Sequence, residues 1–220
     1  MRELYRQELA QLGSEIERMS RGVARAIERA TTALRDGDLA LAEQTIDADE
    51  RLDDAAREID EMCVHLLALQ GPVASDLRLI LGGLRLSQTM ERQGDLARHI
   101  AAIARKTYPT RSIAEPATSL INRMCEAAAT MGRIQQQLVA EQDLTLVAQL
   151  HDADDVLDDL QTEIRRFCAD ENSDLTHQQV IDLTLAARFL ERFGDHAVSV
   201  GRRVSYIVNG ARADFTTSDH

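Results

Sequence analysis

Residues 47–54 read DADERLDD and residues 152–159 read DADDVLDD, so six of eight positions are identical at a spacing of 105 residues (152 minus 47). A second block recurs in the same order. Residues 91–97 read ERQGDLA and residues 191–197 read ERFGDHA, with five of seven positions identical at a spacing of 100 residues (191 minus 91). Two blocks that recur in one order predict that the chain is a duplication of one unit.

Each copy of the unit is predicted to form three helices. In copy two, Val180, Leu183, Ala187, Leu190 and Gly194 recur at alternating steps of three and four, which places them on one helix face. Short turns separate the helical stretches, so each group of three helices must run antiparallel. The predicted helices span residues 3–35, 38–69 and 73–107 in copy one, and residues 114–140, 143–170 and 175–209 in copy two.

The predicted fold class is all-α, with two tandem, pseudo-symmetric three-helix bundles. The first bundle is expected at residues 1–109 and the second at residues 110–210, and residues 211–220 are expected to form a disordered tail. Composition agrees, because aromatic residues make up only 3% of the chain and Ala and Leu supply most of its apolar content. Such a core suits helices packed side by side, whereas sheets favour β-branched and aromatic residues.

The net charge and the lack of targeting signals argue against nucleic-acid-binding, secreted and membrane-spanning proteins. The formal net charge of -12 argues against nucleic-acid binding, because phosphate backbones are bound by basic surfaces. The first residues lack the apolar stretch of a signal peptide, and no stretch approaches the ~18 apolar residues of a membrane span. The three cysteines are an odd number, which is typical of a reducing compartment. We therefore expect a cytoplasmic protein.

Four acidic pairs stand out within the repeated blocks. Each has the pattern acidic-x-x-x-acidic, which places both carboxylates on one side of a helix, one turn apart. Like charges at this spacing repel each other, so a nearby cation would offset the cost. The pairs are Asp49 and Asp53, Glu91 and Asp95, Asp154 and Asp158, and Glu191 and Asp195.

The positions of these pairs favour a metal site. Asp49 and Asp154 lie on the apolar stripes of their predicted helices, where an ionised carboxylate is costly unless it is paired or metal-bound. Within each bundle, the second and third helices could bring four carboxylates together. Such an all-oxygen site suits Mg²⁺, Mn²⁺, iron or Ca²⁺, and Zn²⁺ also accepts carboxylates. The alternative is a network of ion pairs, for which Arg92 and Arg192 are adjacent candidates.

Four segments carry a resemblance to a known family. They are ASDLR at residues 74–78, MERQGD at residues 90–95, LERFGDHA at residues 190–197 and RVSYIVNG at residues 203–210. Together with the duplication and the three-plus-three helices, these segments resemble the PhoU family over about residues 3–210.

The resemblance implies a function. PhoU-like proteins are non-catalytic, cytoplasmic regulators of phosphate uptake and of the phosphate-starvation response, and they are often homodimers. The resemblance implies docking on the ATPase subunit of a phosphate ABC transporter and on a PhoR-type sensor histidine kinase, whose output is held down when phosphate is plentiful. The protein would meet the membrane only through these partners.

The resemblance also implies bound metal. Family members hold metal, including multinuclear iron or zinc clusters, through acidic E/D-x-x-x-D motifs. The ions expected here are iron, zinc, manganese or magnesium. By resemblance the ligands are Asp49, Asp53, Glu91, Asp95, Asp154, Asp158, Glu191 and Asp195, all of which are acidic in this chain.

Two other function classes stay open from the residues alone. A carboxylate-bridged di-iron enzyme could be built on a helical bundle, but such sites use Glu-x-x-His motifs, which are missing from the repeated positions. A metal-free helical scaffold would instead pair its acidic residues with arginines.

Overall fold

The computed structural model describes residues 2–69, 71–109 and 117–210. Within these ranges the chain forms six α-helices and no β-strand, so the predicted all-α class is confirmed. The predicted tail at residues 211–220 and the predicted start of the fourth helix at residues 114–116 lie outside the described residues. The helices are α1 (Arg2–Asp36), α2 (Leu39–Leu69), α3 (Ala74–Thr107), α4 (Thr118–Glu141), α5 (Leu146–Ala169) and α6 (His177–Asn209).

Side-chain hydrogen bonds explain where two helices begin later than predicted. The fifth helix was expected from residue 143, but it begins at Leu146. The reason is that the Asp143 carboxylate accepts hydrogen bonds from the Thr145 backbone N–H at 3.0 Å and from its hydroxyl at 2.8 Å, which forms a turn instead. The sixth helix opens with a capping box, in which the Thr176 hydroxyl accepts from the Gln179 N–H and the Gln179 side chain accepts from the Thr176 N–H.

The two copies pack against each other as well as within themselves. α1 packs on α4 and α3 packs on α6, so these four helices form a common centre. α2 covers α1 and α3 on one side, and α5 covers α4 and α6 on the other. The buried apolar side chains form one continuous core through both copies. The molecule therefore has an α1/α4 face and an α3/α6 face.

Equivalent residues of the two copies meet at the centre of each face. Ile27 and Gly132 are equivalent (132 minus 27 is 105), and a Cβ atom at Gly132 would lie 2.7 Å from Ile27 Cγ2. Gln93 and Phe193 are equivalent (193 minus 93 is 100), and Gln93 Nε2 donates to the Phe193 carbonyl oxygen at 3.4 Å. These two contacts mark the pseudo-twofold axis that relates copy one to copy two.

A buried pair of amides joins the two copies near this axis. Gln93 Nε2 donates to Gln135 Oε1 at 2.8 Å, and Gln135 Nε2 donates to Gln93 Oε1 at 2.9 Å. Both side chains are fully buried, so the Gln135 amide depends on Gln93 for its hydrogen bonds, while Gln93 also donates to the Phe193 carbonyl oxygen. The pair crosses the four-helix centre from α3 to α4 and fixes how the copies meet.

None of the helices in the described ranges is both long and apolar enough to cross a membrane.

The three cysteines are free thiols, and Cys63 and Cys125 are buried. Burial raises the pKa of Cys63 to about 11 and that of Cys125 to about 12, so both thiols stay protonated at neutral pH and pack as small apolar groups.

Replacing Gln93 alone by Leu should lower the free energy of unfolding by about 1–3 kcal/mol, because Gln135 then lacks a partner inside the core. The double variant Gln93→Leu, Gln135→Leu should recover most of that loss, since no amide remains unpaired. Urea unfolding of the wild type, both single variants and the double variant measures the coupling. If the loss of unfolding free energy in the double variant equalled the sum of the losses in the single variants, the result would contradict the pairing of Gln93 with Gln135.

Candidate functional site

The two repeated sequence blocks contact each other within each copy. Gly94 of α3 lies so close to α2 that a Cβ atom there would be 2.8 Å from Leu52 Cδ1 and 3.2 Å from Asp49 Oδ1. Gly194 of α6 lies equally close to α5, and its Cβ atom would be 2.6 Å from Asp154 Oδ1. Real Cβ atoms essentially never approach within 3.0 Å, so the glycine is what admits Asp154 Oδ1 in copy two and Leu52 Cδ1, beside Asp49, in copy one.

Each contact brings one set of predicted carboxylates to the seam between two helices. We call the sets the α2/α3 cluster and the α5/α6 cluster. Burial raises the pKa of Glu91, Arg92 opposes this shift, and the other three carboxylates of the α2/α3 cluster add to it. The members are Asp49, Asp53, Glu91 and Asp95 in the α2/α3 cluster, and Asp154, Asp158, Glu191 and Asp195 in the α5/α6 cluster.

The α2/α3 cluster already contains a cation. Arg98 Nε lies 2.6 Å from Asp49 Oδ2 and Arg98 Nη2 lies 2.9 Å from Asp95 Oδ1, so one guanidinium bridges α2 and α3. Asp49 is only 8% exposed, and its Oδ1 has no hydrogen-bond partner among the described residues. Burial raises the pKa of Asp49, and the Arg98 charge partly reverses that shift. This half of the site is therefore neutralised in part by the chain itself.

The α5/α6 cluster lacks the equivalent cation. Val198 stands where copy one has Arg98 (98 plus 100). Arg188 pairs with Glu191 Oε1, but no Arg or Lys of the described ranges lies within 4.0 Å of the Asp154 carboxylate. Burial, with the charges of neighbouring carboxylates, raises the pKa of Asp154 to about 7. The second cluster thus has the greater excess of negative charge.

The carboxylate oxygens of the two clusters are suitable ligands for a hard cation. Within the two clusters, three buried oxygens have no hydrogen-bond partner among the described residues, namely Asp49 Oδ1, Asp154 Oδ1 and Glu191 Oε2. Carboxylate oxygens are the ligands preferred by Mg²⁺ and Mn²⁺, and they also bind iron and zinc. As the side chains stand, no group of three or more His, Cys, Asp or Glu in the described ranges is arranged to hold an ion. Ion binding would therefore require the carboxylates to turn toward one another.

Comparison with known proteins decides the family. The PhoU domain model matches residues 16–104 and again residues 121–204. The chain belongs to the PhoU family. It is 36% identical over 211 residues to the Mycobacterium tuberculosis phosphate-specific transport system accessory protein PhoU homolog 2, covering 96% of this chain and 99% of that protein. It is 37% identical over 210 residues to PhoU homolog 1 of the same organism, covering 96% and 95%.

Solved PhoU structures show the same architecture. The crystal structure of PhoU from Pseudomonas aeruginosa has a TM-score of 0.85 at 27% identity and covers 94% of this chain and 100% of that one. The PhoU structure from Streptococcus pneumoniae has a TM-score of 0.84 at 21% identity, covering 96% and 99%, and at this identity the likeness shows the fold alone. The predicted family and the predicted pair of three-helix bundles are confirmed.

The arginines predicted beside the acidic pairs, Arg92 and Arg192, are not the ones that pair most closely with them. Of the two, Arg92 lies 3.5 Å from both Glu91 and Asp95, while Arg192 pairs with no carboxylate of the described residues. The closer partners, Arg98 and Arg188, were missed. Each lies three residues from a member of an acidic pair, which places it on the same helix face. Neither is repeated in the other copy, so a search for repeated positions passed over both.

Gly194→Ala should destabilise the protein by about 1–3 kcal/mol, because the added methyl group would overlap Asp154 Oδ1 and Leu157 Cδ1 and force these packed side chains to shift. Alanine is the better helix former by about 1 kcal/mol, so a loss reports the contact and not helix propensity. Gly13→Ala is the matched control, because a Cβ atom at Gly13 meets nothing within 4 Å. Urea unfolding measures the free energy of unfolding of both variants. An equal increase in the two variants would contradict the close contact between Gly194 and the side chains of α5.

Asp154 should make the metal-free protein less stable as pH rises. Its carboxyl group has an ordinary pKa of 3.8 and a folded-state pKa of about 7, so between these values the folded state keeps a proton that the unfolded state has released. The stability is complete below the lower value and is lost as pH rises through the higher one. After allowance for solvent screening, the loss is on the order of 1–2 kcal/mol.

Urea unfolding in the presence of a chelator, followed from acid to neutral pH, measures this loss. Asp154→Asn should flatten the pH dependence, because the amide does not titrate. Asp174→Asn, at an exposed position, is the control and should leave the slope as it is in the wild type. An unchanged slope in Asp154→Asn would contradict the assignment to this carboxyl group.

Proposed function

We propose that this chain is an accessory regulator of phosphate transport that restrains the phosphate-starvation response. The observation that carries the proposal is the match of the PhoU domain to both halves of the chain. Relatives aligned with 96% of the chain are named phosphate-specific transport system accessory proteins, which supports the same role here.

The chain would act by docking and not by catalysis. Its partners would be the ATPase subunit of a phosphate ABC transporter and a PhoR-type sensor histidine kinase. Acting as a cytoplasmic homodimer, it would meet the membrane only through them. A docking regulator works by binding one state of its partner more tightly than the other, and the difference in affinity sets the size of the response.

Metal ions at the two carboxylate clusters are part of this proposal. A bound iron, zinc, manganese or magnesium ion would supply the positive charge that ionised carboxylates on adjacent helices need. Asp49 and Asp154 would then offer buried oxygens that otherwise lack a partner. The remaining ligands would be Asp53, Glu91 and Asp95 in copy one, and Asp158, Glu191 and Asp195 in copy two. Holding α2 to α3 and α5 to α6 in this way would fix the shape of the α3/α6 face.

The two clusters should differ in their affinity for metal. In copy one Arg98 already neutralises Asp49 and Asp95, so an ion must compete with a guanidinium. In copy two Asp154 has no such partner among the described residues, so its cluster should take the first ion. The chain's own residues thus set the order of filling.

A strain that lacks its own copy of the gene tests the function through a reporter of a phosphate-starvation promoter. Without the chain, the reporter should stay active when phosphate is plentiful, and the wild-type chain should restore repression. The purified chain should also form a complex with the ATPase subunit or with the cytoplasmic part of the kinase. A reporter that responds normally in the deletion strain, together with no complex, would contradict the proposed role.

Elemental analysis of the same chains tests the metal separately. Asp154→Asn with Asp158→Asn should lose the more tightly bound ion and weaken repression, while the fold is kept because like-charge repulsion falls. Asp152→Asn with Asp159→Asn makes the same charge change at exposed positions of α5 and should keep both the metal and repression. If neither variant alters the metal content, the ions do not bind at the α5/α6 cluster.

A further inference from the structure

Copy one carries a groove between α1 and α2, which we call the α1/α2 groove. Its volume is about 330 Å³. It lies at the seam between α1 and α2, whereas the α2/α3 cluster lies where α2 packs on α3. The floor of the groove is apolar, and its rim carries five charged side chains: Arg18, Arg25, Arg51, Asp54 and Glu58.

Two of these arginines occupy facing positions across the groove. α1 and α2 run antiparallel, and Arg18 Nη2 lies 2.8 Å from Glu58 Oε2. In two antiparallel helices, residue numbers rise along one helix as they fall along the other. Residues that face each other across this groove therefore have numbers whose sum is about 76 (18 plus 58). Arg25 and Arg51 also total 76 and lie two helical turns from that ion pair. One level of the groove therefore holds opposite charges, and the level two turns away holds two like charges.

Neither facing arginine is neutralised by the chain. No carboxylate of the described residues lies within 4.0 Å of Arg25 or Arg51, although the chain has 37 acidic residues and only 25 basic ones. The carboxylates on the rim are engaged elsewhere, because Asp54 pairs with Arg57 and the other belongs to the ion pair described above. Facing cations repel each other, and an anion placed between them would remove that cost.

The equivalent groove in copy two shows that the fold does not need these charges. It lies between α4 and α5 and also has a volume of about 330 Å³. Thr130 stands at the position equivalent to Arg25 and Val156 at the position equivalent to Arg51, each 105 residues later (130 minus 25, 156 minus 51), and both line the groove. The duplicated scaffold thus builds the same groove without arginines at these two positions, which points to a ligand for Arg25 and Arg51 in copy one.

We propose that the α1/α2 groove docks an acidic segment of a partner protein. A carboxylate of the segment would bridge Arg25 and Arg51, since guanidinium groups match carboxylate geometry, and apolar side chains of the segment would cover the floor. A protein segment fits better than a small free anion, because both arginines are exposed on an open rim beside apolar surface. The proposal deepens the docking role above and rests on it only for the identity of the partner.

Photo-crosslinking in cells tests which segment occupies the groove. A photoreactive residue replaces Ala55 in the α1/α2 groove or, as the control, Ala127 in the groove of copy two. We expect the first to capture a transporter or kinase segment with more Asp and Glu than Lys and Arg, identified by mass spectrometry, and the second to miss it. No capture, capture of a neutral or basic segment, or capture of this chain's own peptides would overturn the proposal.

Fluorescence anisotropy with the captured segment, made as a labelled peptide, tests the two arginines. Arg25→Thr with Arg51→Val, the residues of copy two, should weaken binding by about tenfold or more, and high salt should weaken the wild type similarly. Arg105→Thr with Arg165→Val makes the same charge change at exposed positions elsewhere and should leave the affinity unchanged. Equal affinities for the two variants would overturn the proposal.

Two further readouts separate this inference from its alternatives. Calorimetric binding of inorganic phosphate that disappears in the Arg25→Thr, Arg51→Val variant would make the groove an anion site and overturn the docking proposal. Full repression of the starvation reporter by that variant, with unchanged capture at Ala55, would overturn the proposal that the groove docks a partner. The proposed regulatory function would not be affected by that result. Weakened capture with weakened repression is the expected result.

Discussion

At Gly94 and Gly194 the third helix of each copy approaches the second so closely that one added methyl group would overlap side chains of the neighbouring helix. This approach removes Asp49 and Asp154 from most of the surrounding water and holds each beside other carboxylates. Burial and like charge both oppose ionisation, so each contact creates a demand for positive charge. The repeated glycine, the repeated aspartate and the acidic pairs are therefore parts of one physical arrangement.

The two copies meet that demand in different ways. Copy one supplies Arg98, which bridges its two helices, whereas copy two has Val198 at the equivalent position and leaves Asp154 without an ion pair in the described residues. The α1/α2 groove and the equivalent groove between α4 and α5 also differ, since copy one places two arginines where copy two has uncharged residues. Duplication supplied two equal scaffolds, and single substitutions gave each half its own charge pattern.

Much of the fold could be predicted from the sequence, because helix periodicity, turn residues and repetition are local or linear signals. The four acidic pairs were found for the same reason, since spacing along one helix decides which side chains share a face.

Contacts between helices could not be predicted in this way. The bridge formed by Arg98, the amide pair of Gln93 and Gln135 and the facing positions of Arg25 and Arg51 all depend on the register of one helix against another. That register is set by core packing across both copies, and no local pattern records it. Hence the candidate ligands were visible in the sequence, while the groups that compete with a metal ion for them were not.

Anomalous diffraction from crystals loaded with iron or manganese tests the central claim most directly. We expect one peak between α5 and α6, close to Asp154 and Glu191, and a second between α2 and α3, close to Asp49 and Asp95. At limiting metal the α5/α6 peak should be the stronger, because Arg98 competes in copy one. Peaks only at other places on the surface, or none at saturating metal, would contradict the claim that the glycine contacts create cation sites.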